Sequence, residues 1–99
     1  MDTIRIKITW ASAESATLIY LRDNEQRIIP EPIQGIHGPV IALEYTVPHA
    51  PDHVLEFSLL FVDIELKELK FRARHAGSPW RILADKESAK DRWDGSGVL

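Results

Sequence analysis

The sequence predicts an all-β domain, an immunoglobulin-like antiparallel β-sandwich that ends in a short helix. Two stretches, residues 3–10 and 41–47, alternate strictly between polar and apolar residues, which is typical of strands with one face in water. Turn signals recur about every ten residues, so the chain has room for the six or seven short strands of a sandwich. We expect one domain over residues 1–94 and a flexible tail over residues 95–99.

In the first third of the chain, the apolar residues at 4, 6, 8 and 10 place Trp10 on the same face as three isoleucines. Residues 17–21 form a continuous apolar run that suits a central strand. A turn signal follows at residues 23–26, and residues 27–29 suit a short strand. Pro30 and Pro32 cannot donate to a ladder, so this segment belongs at an edge or in a loop.

The second clear strand covers residues 41–47, and a third covers residues 55–61. From residue 55 to residue 61 the apolar residues occupy odd positions. They occupy even positions at 62, 64 and 66, and odd positions again from residue 69. Successive side chains of a strand lie on opposite faces, so this change of phase requires a bulge, a bend or a tight turn. We place it within residues 63–68. Residues 70–74 then form a strand with one wet face.

The helix is predicted near the carboxyl end. Ser78 and Pro79 suit an N-cap and a first helical position, residues 85–93 are rich in helix formers, and Gly95 is well placed to end the helix. Residues 80–83 equally suit a last strand before a shorter helix.

Composition excludes several classes of protein. The 99 residues carry a net charge of −3 and contain no cysteine, so disulfides, thiolate catalysis and zinc–thiolate sites are excluded. Mild acidity gives no electrostatic footprint for nucleic acid. The longest apolar run, residues 59–62, is far too short to span a membrane. We expect a soluble, cytoplasmic protein without a nucleic-acid or membrane partner.

No motif with a specific catalytic meaning occurs. The chain lacks a Gly-x-Ser-x-Gly elbow, a Gly-rich phosphate loop and a His-Glu-x-x-His helix, and its four histidines lack the spacing of a metal site. Asp63, Glu65 and Glu68 cluster as paired carboxylates do in acid–base or calcium sites. A solvated strand face explains them more simply. We expect no catalysis, no cofactor and no metal.

A basic row is the main charge feature. Lys70, Arg72 and Arg74 would line up on one strand face, about 6.6 Å apart. Such a row could hold an anionic partner. The alternatives are a solvated face paired with acidic neighbours, or an edge strand whose charges prevent aggregation.

Two tryptophans lie in polar segments. Trp80 follows Ser78 and Pro79, and Trp93 lies between Arg92 and Asp94. We expect their indole rings to be exposed platforms on which a sugar ring stacks, with Arg92 and Asp94 bonding its hydroxyls. The alternative is that both rings fix the C-terminal segment onto the sheets.

The sequence also resembles the later half of starch-binding β-sandwich modules. The resemblance rests on residues 55–59 (Leu-Glu-Phe-Ser-Leu), 69–71 (Leu-Lys-Phe), Trp80 and 93–97 (Trp-Asp-Gly-Ser-Gly), and it covers less than half of the chain. It implies sugar stacking on Trp80 or Trp93, with Asp94 as a hydroxyl partner.

Two functions follow as expectations. The first is a non-catalytic binding module whose ligand is a glycan. The second is a protein-interaction or assembly domain, which would use the row of Lys70, Arg72 and Arg74 or would form a homodimer through a strand edge.

Overall fold

The structure is a computed structural model that describes residues 2–48 and 52–99. These residues form seven strands in antiparallel ladders and no helix, so the predicted all-β class is confirmed. Within them, no helix is long and apolar enough to cross a membrane. The strands are β1 (Asp2–Thr9), β2 (Ser15–Asp23), β3 (Gln26–Arg27), β4 (Ile33–His37), β5 (Val40–Val47), β6 (Val54–His75) and β7 (Arg81–Val98).

The 22-residue β6 organises the sheet. Along one side, its first half pairs with β2 and its second half pairs with β1. Along its other side it pairs with β7 over most of its length. The outer strands are then added: β5 pairs with β1, while β3 and β4 pair with β2. β4 was not predicted as a strand, because Gly35 and the following Gly38 and Pro39 are typical of a loop.

The predicted change of face in β6 is confirmed. The register between β6 and β7 shifts between Phe61 and Glu65, and both Asp63 (φ 60°) and Glu68 (φ 52°) have left-handed backbone angles. A bulge bends the strand that contains it and increases the local twist. The long β6–β7 ribbon therefore turns back on itself, and the sheet curls.

The curl encloses the core. Phe57 from the first half of β6 meets Phe71 from the second half, with ring centroids 4.5 Å apart. Trp10, which the alternation placed on the face of three isoleucines, is 2% exposed, and its indole Nε1 donates to the Glu14 carbonyl. Burial of one such side chain stabilises the fold by about 1.5–3 kcal/mol. The inward faces of both halves of the sheet therefore hold the fold together.

The predicted C-terminal helix is wrong. Residues 81–98 form β7, whose ladder with β6 runs from Ala73 opposite Arg81 to Val54 opposite Val98. The helix propensities of the residues in this segment differ from those of typical strand residues by only tenths of a kcal/mol per residue. Pairing with β6 satisfies the backbone and buries Ala89 and Trp93, so tertiary contacts outweigh local propensity.

Residues 95–98, expected in a flexible tail, instead form the last four residues of β7. Their glycines serve close packing. A Cβ atom on Gly95 would lie 2.5 Å from Phe57 Cε1, and one on Gly97 would lie 2.7 Å from Leu83 Cβ. The two halves of β7 approach each other at this point, and a larger side chain would separate them.

Candidate functional site

The outward face shared by β1 and β6 collects basic side chains. In the register of these strands, Arg5 lies opposite Arg74 and Lys7 opposite Arg72. Opposite residues of an antiparallel pair point to the same face. The intervening residues of both strands are buried, so these cations share the outer face. We call this surface the basic face; its residues are Arg5, Lys7, Lys70, Arg72 and Arg74.

The predicted row of β6 therefore supplies three of the five residues of a larger surface. Lys70, Arg72 and Arg74 lie on one face, as the alternation indicated, and each is half-buried. Arg5 and Lys7 were missed, because the sequence does not state which strand pairs with β6. The alternation of residues 3–9 does show that both basic residues lie on the polar side of their own strand.

Two carboxylates border the basic face: Glu44 of β5 lies opposite Arg5, and Asp85 of β7 lies opposite Lys70. Among the carboxylates whose side chains are described, only Glu44 lies within ion-pair distance, with Oε1 3.1 Å from Arg5 Nε. These two side chains are 45% and 59% exposed, so water screens the pair and its contribution is below about 1 kcal/mol. Arg72 Nη1 donates to Thr9 Oγ1 over 3.3 Å. Like charges directly opposite each other destabilise a sheet.

Trp80 lies over the basic face. The turn after β6 contains Gly77 at φ 79° and returns the chain so that the indole ring meets two cations. Lys7 Nζ is 4.4 Å from the ring centroid and Arg74 Cζ is 4.9 Å from it. Such cation–π contacts contribute about 0.5–1 kcal/mol each at exposed sites. Trp80 is half-buried, so part of its surface borders solvent beside the cations.

Trp93 is in the core, contrary to the expectation of an exposed ring. It is 5% exposed, and it packs edge-on against Phe57 with centroids 4.7 Å apart. The polar neighbours that suggested exposure, Arg92 and Asp94, point outward because a strand alternates its faces. The sequence signal was present: polar–apolar–polar at residues 92–94 is the pattern of a strand with an inward tryptophan.

Arg92 and Asp94 already bond within the protein. Arg92 Nε lies 2.9 Å from Asp94 Oδ2 and 3.1 Å from Oδ1, and the buried Ser58 donates its hydroxyl to Asp94. The four residues predicted to bind a glycan are therefore not brought together. Trp80 lies on the basic face, Trp93 is inside, and the ion pair lies toward the other end of β7.

A second polar group was not predicted. A groove of about 430 Å³ lies between the β2–β3 turn and the end of β5. His53 Nδ1 is 2.8 Å from Asp23 Oδ1, without hydrogen-bond geometry, and the Tyr45 hydroxyl is buried without a partner among the described residues. Burial raises the pKa of Tyr45, and the Asp23 charge raises it further. These residues come from separate segments, so no local pattern identifies them.

No group of three or more histidine, cysteine, aspartate or glutamate residues in the described part of the chain could hold a metal ion. A scan against protein-family models, a search of curated proteins and a search of solved structures each found no match for this chain. The resemblance to starch-binding modules therefore stays a prediction.

Proposed function

We propose that this domain is a non-catalytic protein-interaction module that binds an acidic polypeptide segment on its basic face. The supporting observation is that Arg5 lies opposite Arg74 and Lys7 opposite Arg72, two cross-strand pairs of like charge. Such pairs cost stability in the free protein. A carboxylate placed between them would remove that repulsion and gain charge-assisted hydrogen bonds.

The spacing of the cations suits an extended peptide. Lys70, Arg72 and Arg74 alternate along β6, so neighbouring cations are about 6.6 Å apart. Alternate side chains of an extended acidic segment have the same spacing. Three of the five cations are arginines, whose planar guanidinium binds a carboxylate through two parallel hydrogen bonds. A partner with acidic residues at every second position would therefore match the face.

The charge balance favours a short acidic segment over nucleic acid. Outside the basic face, seven basic and fifteen acidic residues leave a net charge of −8. A long polyanion extends beyond the face and meets that acidic surface within the Debye length of about 8–10 Å. A peptide of a few residues contacts the basic face alone. The electrostatic term that drives nucleic-acid binding is therefore opposed in this protein.

We also propose that the two halves of the curled sheet are the layers of an immunoglobulin-like β-sandwich. In that architecture the inward faces of both sheets form the core and the outward faces border solvent, which leaves the five cations of β1 and β6 accessible to a partner.

The test is a titration with a peptide of alternating glutamate and threonine, followed by tryptophan fluorescence. Trp10 and Trp93 are buried, so we assign a change in emission to Trp80. We expect binding that weakens as salt rises, because the contacts are solvent-exposed ion pairs. Arg72→Glu should abolish it. Lys90→Glu is the matched control, since it makes the same charge change at an exposed residue of β7.

Equal losses in the two variants would show that net charge, and not the basic face, causes the binding. Tighter binding of a single-stranded oligonucleotide of equal charge would contradict the choice of partner. Carbohydrate binding now depends on Trp80 alone, and an α-glucan titration tests it in the same assay. A glucan-induced shift that Trp80→Ala removes would favour the glycan over the peptide.

A further inference from the structure

β5 is an edge of the sheet. All eight of its residues pair with β1, and no other strand in the described part of the chain pairs with it. Its outer side therefore carries a row of backbone N–H and C=O groups without a strand partner. Such a row is a template for a strand of another chain.

β5 lacks the features that usually block such pairing. It contains no proline, and its register with β1 runs without a shift from Val40 to Val47. Glu44 is its only charged residue, and that charge is engaged by Arg5. Proteins commonly protect edges with charges, prolines or bulges, and of these β5 contains only the charge of Glu44.

The side chains of β5 also leave apolar surface uncovered. Ile41, Leu43 and Tyr45 pack against the core but are only half-buried. Val40, on the opposite face, is 51% exposed. A strand added beside β5 would cover part of this surface, which would stabilise the contact by about 25 cal/mol for each Å² buried.

We propose that β5 pairs antiparallel with the β5 of a second copy of this chain, in the register centred on Leu43. This inference is independent of the basic face. The two-fold axis of such a pair is perpendicular to the sheet, so each residue keeps its face in both copies. Opposite residues share a face, and successive residues of a strand do not, so the axis must pass where one residue lies opposite itself. Of the possible centres within the strand, Leu43 and Glu44 give the longest overlap, seven residues of each copy.

Charge then decides between these two registers. Centring on Glu44 places two carboxylates directly opposite each other, which destabilises the pairing. Centring on Leu43 places leucine against leucine, Ile41 against Tyr45 of the second copy, and Val40 against Thr46 of the second copy. Glu44 then faces Ala42 of the second copy and keeps its own Arg5. The strand is therefore complementary to itself in one register.

β7 lacks this self-complementarity. Its longest antiparallel overlaps centre on Ala89 and Lys90. The first places Lys86 against Arg92 of a second copy, and the second places Lys90 against itself. Both registers bring like charges together. A second copy is thus expected at β5 and not at β7.

Disulfide trapping tests the register, because the chain contains no cysteine. Cβ atoms of directly opposite residues lie about 4.5–5.5 Å apart, and oxidation can bridge such pairs after a small adjustment. We expect the Leu43→Cys variant to form a covalent dimer about tenfold faster than the Ser88→Cys variant, whose cysteine lies on β7, since pairing raises the local thiol concentration. One added strand buries less than about 1,200 Å², so the unlinked dimer is weak and trapping suits it.

Equal rates for Leu43→Cys and Ser88→Cys would overturn the self-pairing. Faster trapping of Glu44→Cys than of Leu43→Cys would overturn the register. A mixture of Ile41→Cys and Tyr45→Cys provides an independent test if Leu43→Cys folds poorly: the two variants should cross-link to each other faster than either does to itself. Failure of all three leaves the peptide titration on the basic face unaffected, so the two proposals fail separately.

Discussion

β5 and β7 both lie at edges of the sheet, and they differ in how they are held and protected. β7 carries eight charged residues among 18, two shifts in its register with β6, and a left-handed residue at Asp91 (φ 66°). β5 is regular and almost uncharged. A long edge would be an aggregation hazard without such interruptions. The difference indicates that β7 is protected against pairing, whereas β5 is free to pair.

The two strands also differ in what they contribute to the core. β7 places Trp93 inside the curl, and its glycines allow its own two halves to pack closely. β5 contributes one buried side chain, that of Val47, and three half-buried side chains at the rim. Substitutions should therefore destabilise the fold through β7 and change association through β5.

The largest expected effect is that of Trp93→Ala. Removing a buried tryptophan leaves a cavity and should lower the free energy of unfolding by about 3–5 kcal/mol. Leu43→Ala on β5 should lower it by only about 1 kcal/mol, because that side chain is already half in water. Denaturant unfolding followed by circular dichroism measures both. Similar losses would show that β5 is as much part of the core as β7.

Removal of the charges on β7 should change association more than stability. In the double variant Lys86→Thr and Lys90→Thr, the registers centred on Ala89 and Lys90 lose their opposed cations. We expect this variant to self-associate at concentrations at which the parent protein does not, while its free energy of unfolding changes by less than about 0.5 kcal/mol. Light scattering over a concentration series measures this. An unchanged molar mass would show that the bend, and not the charge, protects β7.

The smallest effect should appear at high pH and should involve β5. The pKa of Tyr45 is raised by burial and by Asp23, so the folded protein keeps this proton where the unfolded chain loses it. Stability is therefore lost as pH rises above about 10, the ordinary pKa of tyrosine. Tyr45→Phe cannot ionise, so its unfolding free energy should fall less steeply above pH 10. Parallel curves for the two proteins would contradict the assignment.

The sequence predicted strands best where one face of the strand is apolar and the other is polar. Apolar and polar residues alternate cleanly in residues 3–10 and 41–47, and these segments are β1 and β5. The longest missed strand, β7, fills several inward positions with Ala89, Gly95 and Gly97, which carry little hydrophobic signal. Its outward charges are also good helix formers, so local propensity indicated a helix.

The candidate site divides in the same way. The alternation along β6 was enough to place Lys70, Arg72 and Arg74 on one face. It could not reveal that Arg5 and Lys7 lie opposite them, because register is a contact between segments far apart in the chain. The prediction for Trp93 depended on its polar neighbours. In a loop, polar neighbours indicate an exposed tryptophan. In a strand, they indicate that the tryptophan lies on the opposite, inward face.

The sequence by itself determined the all-β class, the strands with one wet face, the change of face in β6 and the cations along that strand. These features follow from local spacing, since a strand repeats every two residues. Only the tertiary structure decided that residues 81–98 extend the sheet, that β1 adds two cations to the basic face and that β5 is an open edge. Backbone pairing between distant segments sets each of these, and single-residue propensities are too small to oppose it.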